Sequence, residues 1–461
     1  MGTVLEFRRL AASLALLALA GCAMPPVDRQ MLEDARATPV QVENARGPLG
    51  YKQSQAILDD LKKRSPETNI YDLHVAVEES VAGAPLSIGN KAVLLEDGDG
   101  AYPKMLAAIK SAKRSVHVEV YIFEEDQAGH EFADALIARA KAGVKVRLLY
   151  DSFGSKNTSK EFFETLRKAG VEVHEYHPLD PTKLLKGENF NQRNHRKLYI
   201  VDSRLAFLGG INISEVYSAS SGVRVGDVPF EKRPWRDTQL QVEGPVVNDL
   251  QKSFVDLWEK ETKTKVTDAN LYPQQKPAGT LAMRALEGTS DGGPNPVYVT
   301  FISAIASAGA SVHLTMAYFV PDRQLVDELK AAAARGADVK LVLPSRTDGW
   351  VVFHAGRSFY DELLEAGVKI YERKNRLLHS KYAVVDGVWS TVGSSNMDWR
   401  SLLYNLELNA VVLGPEFGMA MEALFEKDVA MSEEITLEKW RNRSIQDRAR
   451  EAAARMWEAM L

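Results

Sequence analysis

The chain has 461 residues, 45% of them hydrophobic and 26% charged, enough for two or three ordinary globular domains with buried cores. Its formal charge of −5 offers no basic excess for a polyanion, so no nucleic-acid partner is expected. A single cysteine leaves no disulfide framework.

In chain order, Arg8 and Arg9 precede an apolar run from Leu10 to Ala20, small residues and then Cys22. A basic start and a short apolar core mark 1–21 as an export signal, too short to span a bilayer comfortably. The alternative is an anchor helix with an incidental cysteine. The "LAGC" run, however, resembles the lipobox of bacterial lipoproteins. That resemblance implies cleavage before Cys22, lipid on its sulfur and an exported protein anchored to a membrane, facing the periplasm. Ala23 stands where aspartate would resemble an inner-membrane retention signal, which favours the outer membrane. Residues 22–50, rich in Pro, Gly and charge, read as a flexible tether.

From about Ala101 helical and β-branched segments alternate: "VHVEVYIF" (116–123), "EFADALIARAKAG", "VKVRLLYD" (144–151) and "VEVHEYH". This rhythm predicts βαβ units and a mixed, largely parallel sheet. His174 and His177 read as strand and strand-end residues rather than as a metal pair. The second half repeats the first, with "MLAAIKSAKRSVH" (105–117) lying over "FISAIASAGASVH" (301–313). The predicted architecture is therefore α/β, with two similar halves, 51–272 and 298–435, packed in pseudo-twofold symmetry around one active site. Residues 273–297 read as a linker. The stretch 436–461 reads as a C-terminal amphipathic helix with Trp440, Ile445, Ala449, Ala452, Met456 and Met460 along one stripe. Packing on the domain and membrane contact are both open to it.

The frame H-x-K-x4-D occurs at His195, Lys197 and Asp202, and again at His379, Lys381 and Asp386, each residue 184 positions after its counterpart. Gly209 and Gly393, and Asn212 and Asn396, keep the same offset. Histidine frequency and charge content give about 0.15 such frames by chance, so generic α/β rhythm is a poor account. On a strand, residues two apart face one way, which sets each imidazole beside an ammonium. Brought together, two such sets suit a tetrahedral phosphoryl group: imidazoles for attack and proton transfer, ammonium and carboxamide groups for its oxygens. No carboxylate cluster with metal-ligand spacing accompanies them.

Both motifs and "MDWRSLLYNLEL" (397–408) resemble the phospholipase D superfamily over roughly residues 95–430, most closely bacterial cardiolipin synthases. The matching run is Gly393, Ser394, Asn396, Asp398, Arg400, Ser401, Asn405 and Glu407, with Gly209, Gly210, Asn212 and "WRDT" (235–238) in the first half. The resemblance implies a phosphohistidine mechanism without metal or cofactor. By family convention His195 is the nucleophile and His379 the acid/base, an order open to reversal. Lys197, Lys381, Asn212, Asn396 and Ser394 are expected on the phosphate, and Asp237 and Glu407 are expected to orient the histidines. Asp202 and Asp386 complete the catalytic motifs, with an architectural tie from strand end to loop as their expected work. One departure is Gln239, where cardiolipin synthases commonly carry histidine, which leaves the acceptor open.

The resemblance implies phosphatidyl transfer, most directly cardiolipin synthesis from phosphatidylglycerol. Hydrolysis to phosphatidic acid is the alternative, and a nuclease is less favoured. Phospholipids and the anchoring membrane are the expected partners; the oligomeric state, monomer included, is open.

Overall fold

The computed structural model describes residues 26–179, 191–218, 229–230, 233–289 and 294–457. Cys22, Met460 and the 1–21 segment lie outside the described residues.

The strands are Val42–Asn44 (β1), Gly47–Pro48 (β2), Leu86–Glu96 (β3), Ser115–Val120 (β4), Lys145–Asp151 (β5), Glu172–Tyr176 (β6), Leu198–Val201 (β7), Leu205–Gly209 (β8) and Thr238–Glu243 (β9). There follow Leu281–Gly288 (β10), Ser311–Met316 (β11), Asp338–Pro344 (β12), Lys369–Arg373 (β13), Lys381–Val385 (β14), Trp389–Gly393 (β15), Glu407–Leu413 (β16) and Ser432–Ile435 (β17). The first half has the order β6–β5–β4–β7–β8–β9–β3, and the second repeats it as β13–β12–β11–β14–β15–β16–β10.

The sheets are mixed: within each seven-stranded order, parallel pairing is confined to β4–β5–β6 and β11–β12–β13. The motif strands β7 and β14 turn back at once through Asp202–Arg204 and Asp386–Val388, and connections that short join only antiparallel neighbours. Asp202 and Ser203, like Asp386 and Gly387, hold positive φ, the conformation of a tight hairpin turn.

Two boundaries differ from the sequence reading. The expected linker contains β10, which pairs with β16 from Ala282 to Gly288 and with β3, making it the first strand of the second half. β3 also pairs with β9, so one strand stitches the two sheets together. The expected tether is likewise built into the fold from Val27 onward. Val27, Leu32, Ala35 and Val42 are buried, Asp28 caps the helix Arg29–Ala35, and β1 lies parallel to β3. Apolar residues spaced through a Pro- and charge-rich segment are enough to dock it where a core face is open.

The C-terminal stretch is two helices, Leu437–Arg441 and Ile445–Arg455, because Ser444 starts a new N-cap. The face of the second that packs inward carries Glu451 and Ala454. Ile445, Ala449, Ala452 and Met456 point outward. A core shared by both halves lies between the sheets, with Leu198, Ile200 and Leu240 from one and Tyr382, Val384 and Leu408 from the other.

Candidate active site

The site forms where each half's chain crosses into the other. The backbone N–H of His195 donates to Leu406 O at 3.0 Å, and that of Leu406 donates to Arg193 O at 2.8 Å. In the pseudo-symmetric place, Arg236 N–H donates to Leu377 O at 2.8 Å and His379 N–H donates to Arg236 O at 2.7 Å. The residues after Leu406 and Arg236 are Glu407 and Asp237, so each motif histidine meets an acid from the opposite half. His195 Nδ1 lies 3.0 Å from Glu407 Oε1, and His379 Nδ1 lies 2.7 Å from Asp237 Oδ2. A carboxylate on Nδ1 keeps the proton there and leaves Nε2 free to act as base or nucleophile.

Both imidazoles, both lysines and both acids are buried. Lys197 and Lys381 each donate to the backbone carbonyl of their own motif histidine, which holds ammonium beside ring. Burial depresses Lys197 to about 7 and Lys381 to about 8. Burial also holds His195 well below the ordinary imidazole value, and the charges of Lys197 and Lys381 push it further down. His379 is lowered by burial and by Lys381, while Asp237 pulls it back towards protonation. Glu407 is pushed up to about 7 by burial, against the pull of Lys197. A neutral His195, and a His379 that Asp237 draws back towards protonation, thus sit beside buried ammoniums that an anionic ligand would relieve.

The remaining expected residues divide. Asp202 accepts from the backbone N–H groups of Lys113, Arg114 and Ser115, the closest at 2.7 Å, and Asp386 does the same for Gly309, Ala310 and Ser311. Both lie at the far end of the motif strand, roughly 20 Å from the histidine at strand rise, and tie sheet to loop. They are therefore architectural, since seven extended residues carry them out of the pocket. Ser394, expected on the phosphate, instead donates to Glu407 and accepts from Leu408 N–H at 3.0 Å. Its hydroxyl is spent on positioning the acid. Asn212 accepts from Ile122 N–H at 3.0 Å and donates to Tyr217 Oη at 2.8 Å, leaving one N–H for a ligand. Asn396 is buried, and its carboxamide oxygen makes no hydrogen bond among the described residues.

Gln239 proves to be scaffold. It is fully buried, and its Oε1 accepts from Ile211 N–H at 3.3 Å. Asn409 occupies the matching place in the second half and accepts from Ser395 N–H, also at 3.3 Å. Both amides brace the glycine turn beneath the pocket. Gly210 has no room for a side chain, because the Asp237 carboxylate occupies the space a Cβ would need. His174 and His177 stand apart, against Trp258 and Tyr176.

Sequence reasoning missed the aromatic walls. Tyr121 meets His195 edge-on at 4.9 Å, and Trp235 lies 5.2 Å from the His379 ring. Tyr217 Oη sits 3.5 Å from His379 Nδ1. Trp235 opens "WRDT" and Tyr217 follows soon after Asn212, the only signals available; Tyr121 carried none. His177, at a sheet edge, shows how little an isolated aromatic or imidazole says by itself.

A family profile described as "Cardiolipin synthase, PLD-like domain" matches residues 105–220 and 301–429. The cardiolipin synthase of Halalkalibacterium halodurans is 36% identical over 390 residues, covering 83% of this chain and 74% of that one. The cardiolipin synthase of Alkalihalophilus pseudofirmus is 36% identical over 385 residues, covering 82% and 73% respectively. Among solved structures, the phosphatidylserine synthase of Haemophilus influenzae superposes with a TM-score of 0.62, covering 83% of this chain and 99% of that one. At 13% identity that likeness concerns the fold. With a family profile on both halves and relatives matched over most of their length, the chain belongs to the cardiolipin synthase family of phospholipase D-like proteins.

Proposed function

We infer that this phosphatidyltransferase makes cardiolipin from phosphatidylglycerol. The observation that carries the reading is the pair of imidazoles, each held at Nδ1 by a buried acid of the other half, beside two buried lysines.

His195 Nε2 attacks the phosphorus of one phosphatidylglycerol, forming a P–N bond as the P–O bond to glycerol breaks. His379, kept nearer protonation by Asp237, gives its proton to the departing alkoxide. A hydroxyl of a second phosphatidylglycerol then loses its proton to His379 and attacks phosphorus, breaking the P–N bond and freeing His195. Lys197 and Lys381 stabilise the charge that gathers on the phosphoryl oxygens. The more strongly depressed proton affinity of His195 supports it as nucleophile, since attack needs a neutral ring. Asn396, through its Nδ2 N–H groups, and the free N–H of Asn212 complete the phosphate grip as donors. Every step runs through protein groups, with no cofactor in the scheme.

The "LAGC" run supports anchorage of the mature chain at Cys22 as an exported lipoprotein, facing the periplasm and favouring the outer membrane. Radiolabelled palmitate incorporated by the natural chain and lost in Cys22→Ala is the expected result.

The deciding assay for the reaction supplies labelled phosphatidylglycerol in vesicles and resolves the products. Cardiolipin with equimolar glycerol is expected. Phosphatidic acid as the main product, with cardiolipin absent, would replace transfer by hydrolysis.

A further inference from the structure

The helix Ile445–Arg455 packs along Trp350–Arg357: Arg450 bears on His354, and the Arg455 guanidinium lies 4.4 Å from the Phe359 ring. Trp350–Arg357 in turn lies over the end of the second sheet that carries the site, with Gly356 packed against the Phe319 carbonyl. Phe319 bridges to Met397, next to Asn396. Just before this helix, Asp348 accepts from Tyr318 Oη at 2.5 Å, and its charge is felt at Lys381. The C-terminal helix therefore forms an outer layer at the end of the molecule that carries the site, the mouth end.

That layer presents an uncovered apolar face. Ile445 is 85% exposed, Met456 75% and Trp350 54%, with Ala449 and Ala452 exposed on the same helical stripe as Ile445 and Met456. Around it stand Arg441, Arg443, Arg448, Arg450 and Arg455. Arg443 pairs with Glu451 and Arg450 with Asp447 on the same stretch, and Arg441 and Arg455 pair with Glu365 and Glu362 of the neighbouring helix. These are mostly exposed pairs that contribute little and that an anionic headgroup can replace. A helix with an apolar stripe and an arginine-rich flank is the chemistry that lies in an anionic lipid interface. A second observation points the same way. The backbone N–H and C=O of Val27 are both clasped by the Gln324 side chain, at 2.8 Å each, in the first turn of the helix that follows β11. The chain thus enters the fold at the mouth end, five residues after Cys22 and seven after the apolar run ends at Ala20.

We propose that the outer face of Ile445–Arg455, with Trp350, docks on an anionic phospholipid bilayer and sets the active-site mouth against the lipid surface. The N-terminal attachment and this C-terminal face hold the molecule at two points, so the mouth meets substrate without the protein leaving the membrane. The substrate half of this proposal rests on the cardiolipin reading, but the docking half is measured without turnover.

The single cysteine makes the test direct. Full-length Cys22→Ser/Ile445→Cys carries one environment-sensitive fluorophore at the proposed face. Cys22→Ser/Tyr272→Cys carries it at the opposite end, in a loop where Pro273 O accepts from Asn248 and Gln275 donates to Ser203 O. On phosphatidylglycerol vesicles the label at 445 is expected to shift to the blue, with a smaller shift on phosphatidylcholine and none at 272. Ile445→Glu/Met456→Glu is expected to lose about tenfold of its turnover on vesicles while keeping its turnover on dispersed short-chain phosphatidylglycerol. An unmoved label at 445, or equal shifts at 445 and 272, would overturn the proposal. So would a dimer that Ile445→Glu/Met456→Glu dissociates without any vesicle response, which would make the face a contact between copies. A blue shift at 445 without cardiolipin formation would keep the docking surface and remove the proposed reaction.

Discussion

Two imidazoles with buried carboxylates on Nδ1 set the chemistry at the scale of single residues. Replacing either acid by its amide keeps the shape but loses the charge that steadies the tautomer. Glu407→Gln and Asp237→Asn are each expected to lower turnover by about 10²–10⁴-fold with the thermal midpoint little changed. Turnover within threefold of the natural chain would remove these acids from the mechanism. The lysines make a separate pH prediction. Lys197, at about 7, and Lys381, at about 8, lie below the ordinary 10.5 because burial strips water from the ammonium. Between those values and 10.5 the unfolded chain holds more protons than the folded one, so the empty protein gains stability as pH rises through that window. Anion binding follows the opposite course, since it needs the charged ammonium. Affinity for inorganic phosphate by calorimetry is expected to fall steadily between about pH 7 and about pH 9. A flat profile would place the lysines outside the phosphate site. Which polar groups belong to the pocket was only half legible beforehand. Ser394 and Asp202 carry the right chemistry in the right motif, but their hydrogen bonds point to Glu407 and to loop N–H groups.

Among the elements, β10 has the most to explain. Its residues "LAMRALEG" follow a Pro- and Gly-rich stretch and carry an arginine, which disguises a central strand as a connection. Arg284 is fully buried and ion-paired with Glu78 at 3.2 Å, and Glu78 also accepts from Trp389 Nε1 at 2.9 Å. The N-terminal segment is thereby locked onto the second half. Removing Arg284 leaves the buried Glu78 carboxylate with Trp389 and His74 but no guanidinium, so Arg284→Ala is expected to cost about 3–5 kcal/mol in denaturant unfolding. A loss below 1 kcal/mol would mean that Glu78 takes up a proton or reaches water instead. The C-terminal helix shows the complementary limit of periodicity. A stripe repeating at helical spacing is visible in sequence, but packing chose the Glu451–Ala454 face, with Glu451 answered by Arg443 at 2.8 Å.

For the whole molecule, neither half owns a complete site. His195 and Glu407 are 212 residues apart in sequence, and His379 and Asp237 are 142 apart. Because the acid acts across the seam, Asp237→Asn is expected to lower the titration of His379 further in NMR spectra, leaving the His195–Glu407 pair undisturbed. A response at His195 instead would mean that acids and histidines pair within halves. The mixed sheet follows from the same scale. The helical crossovers force β4, β5 and β6 parallel, while the short turns after the two motif strands fold the remaining strands back on them.

The duplication, the motif residues and the family they announce were determined by the sequence alone, because a repeated polar pattern at fixed spacing survives without any knowledge of contacts. The tertiary structure alone decided which acid serves which histidine, which motif residues are scaffold, and that β10 and the segment after Val27 are core. These outcomes depend on hydrogen bonds and burial between residues remote along the chain, and local propensity holds no record of them.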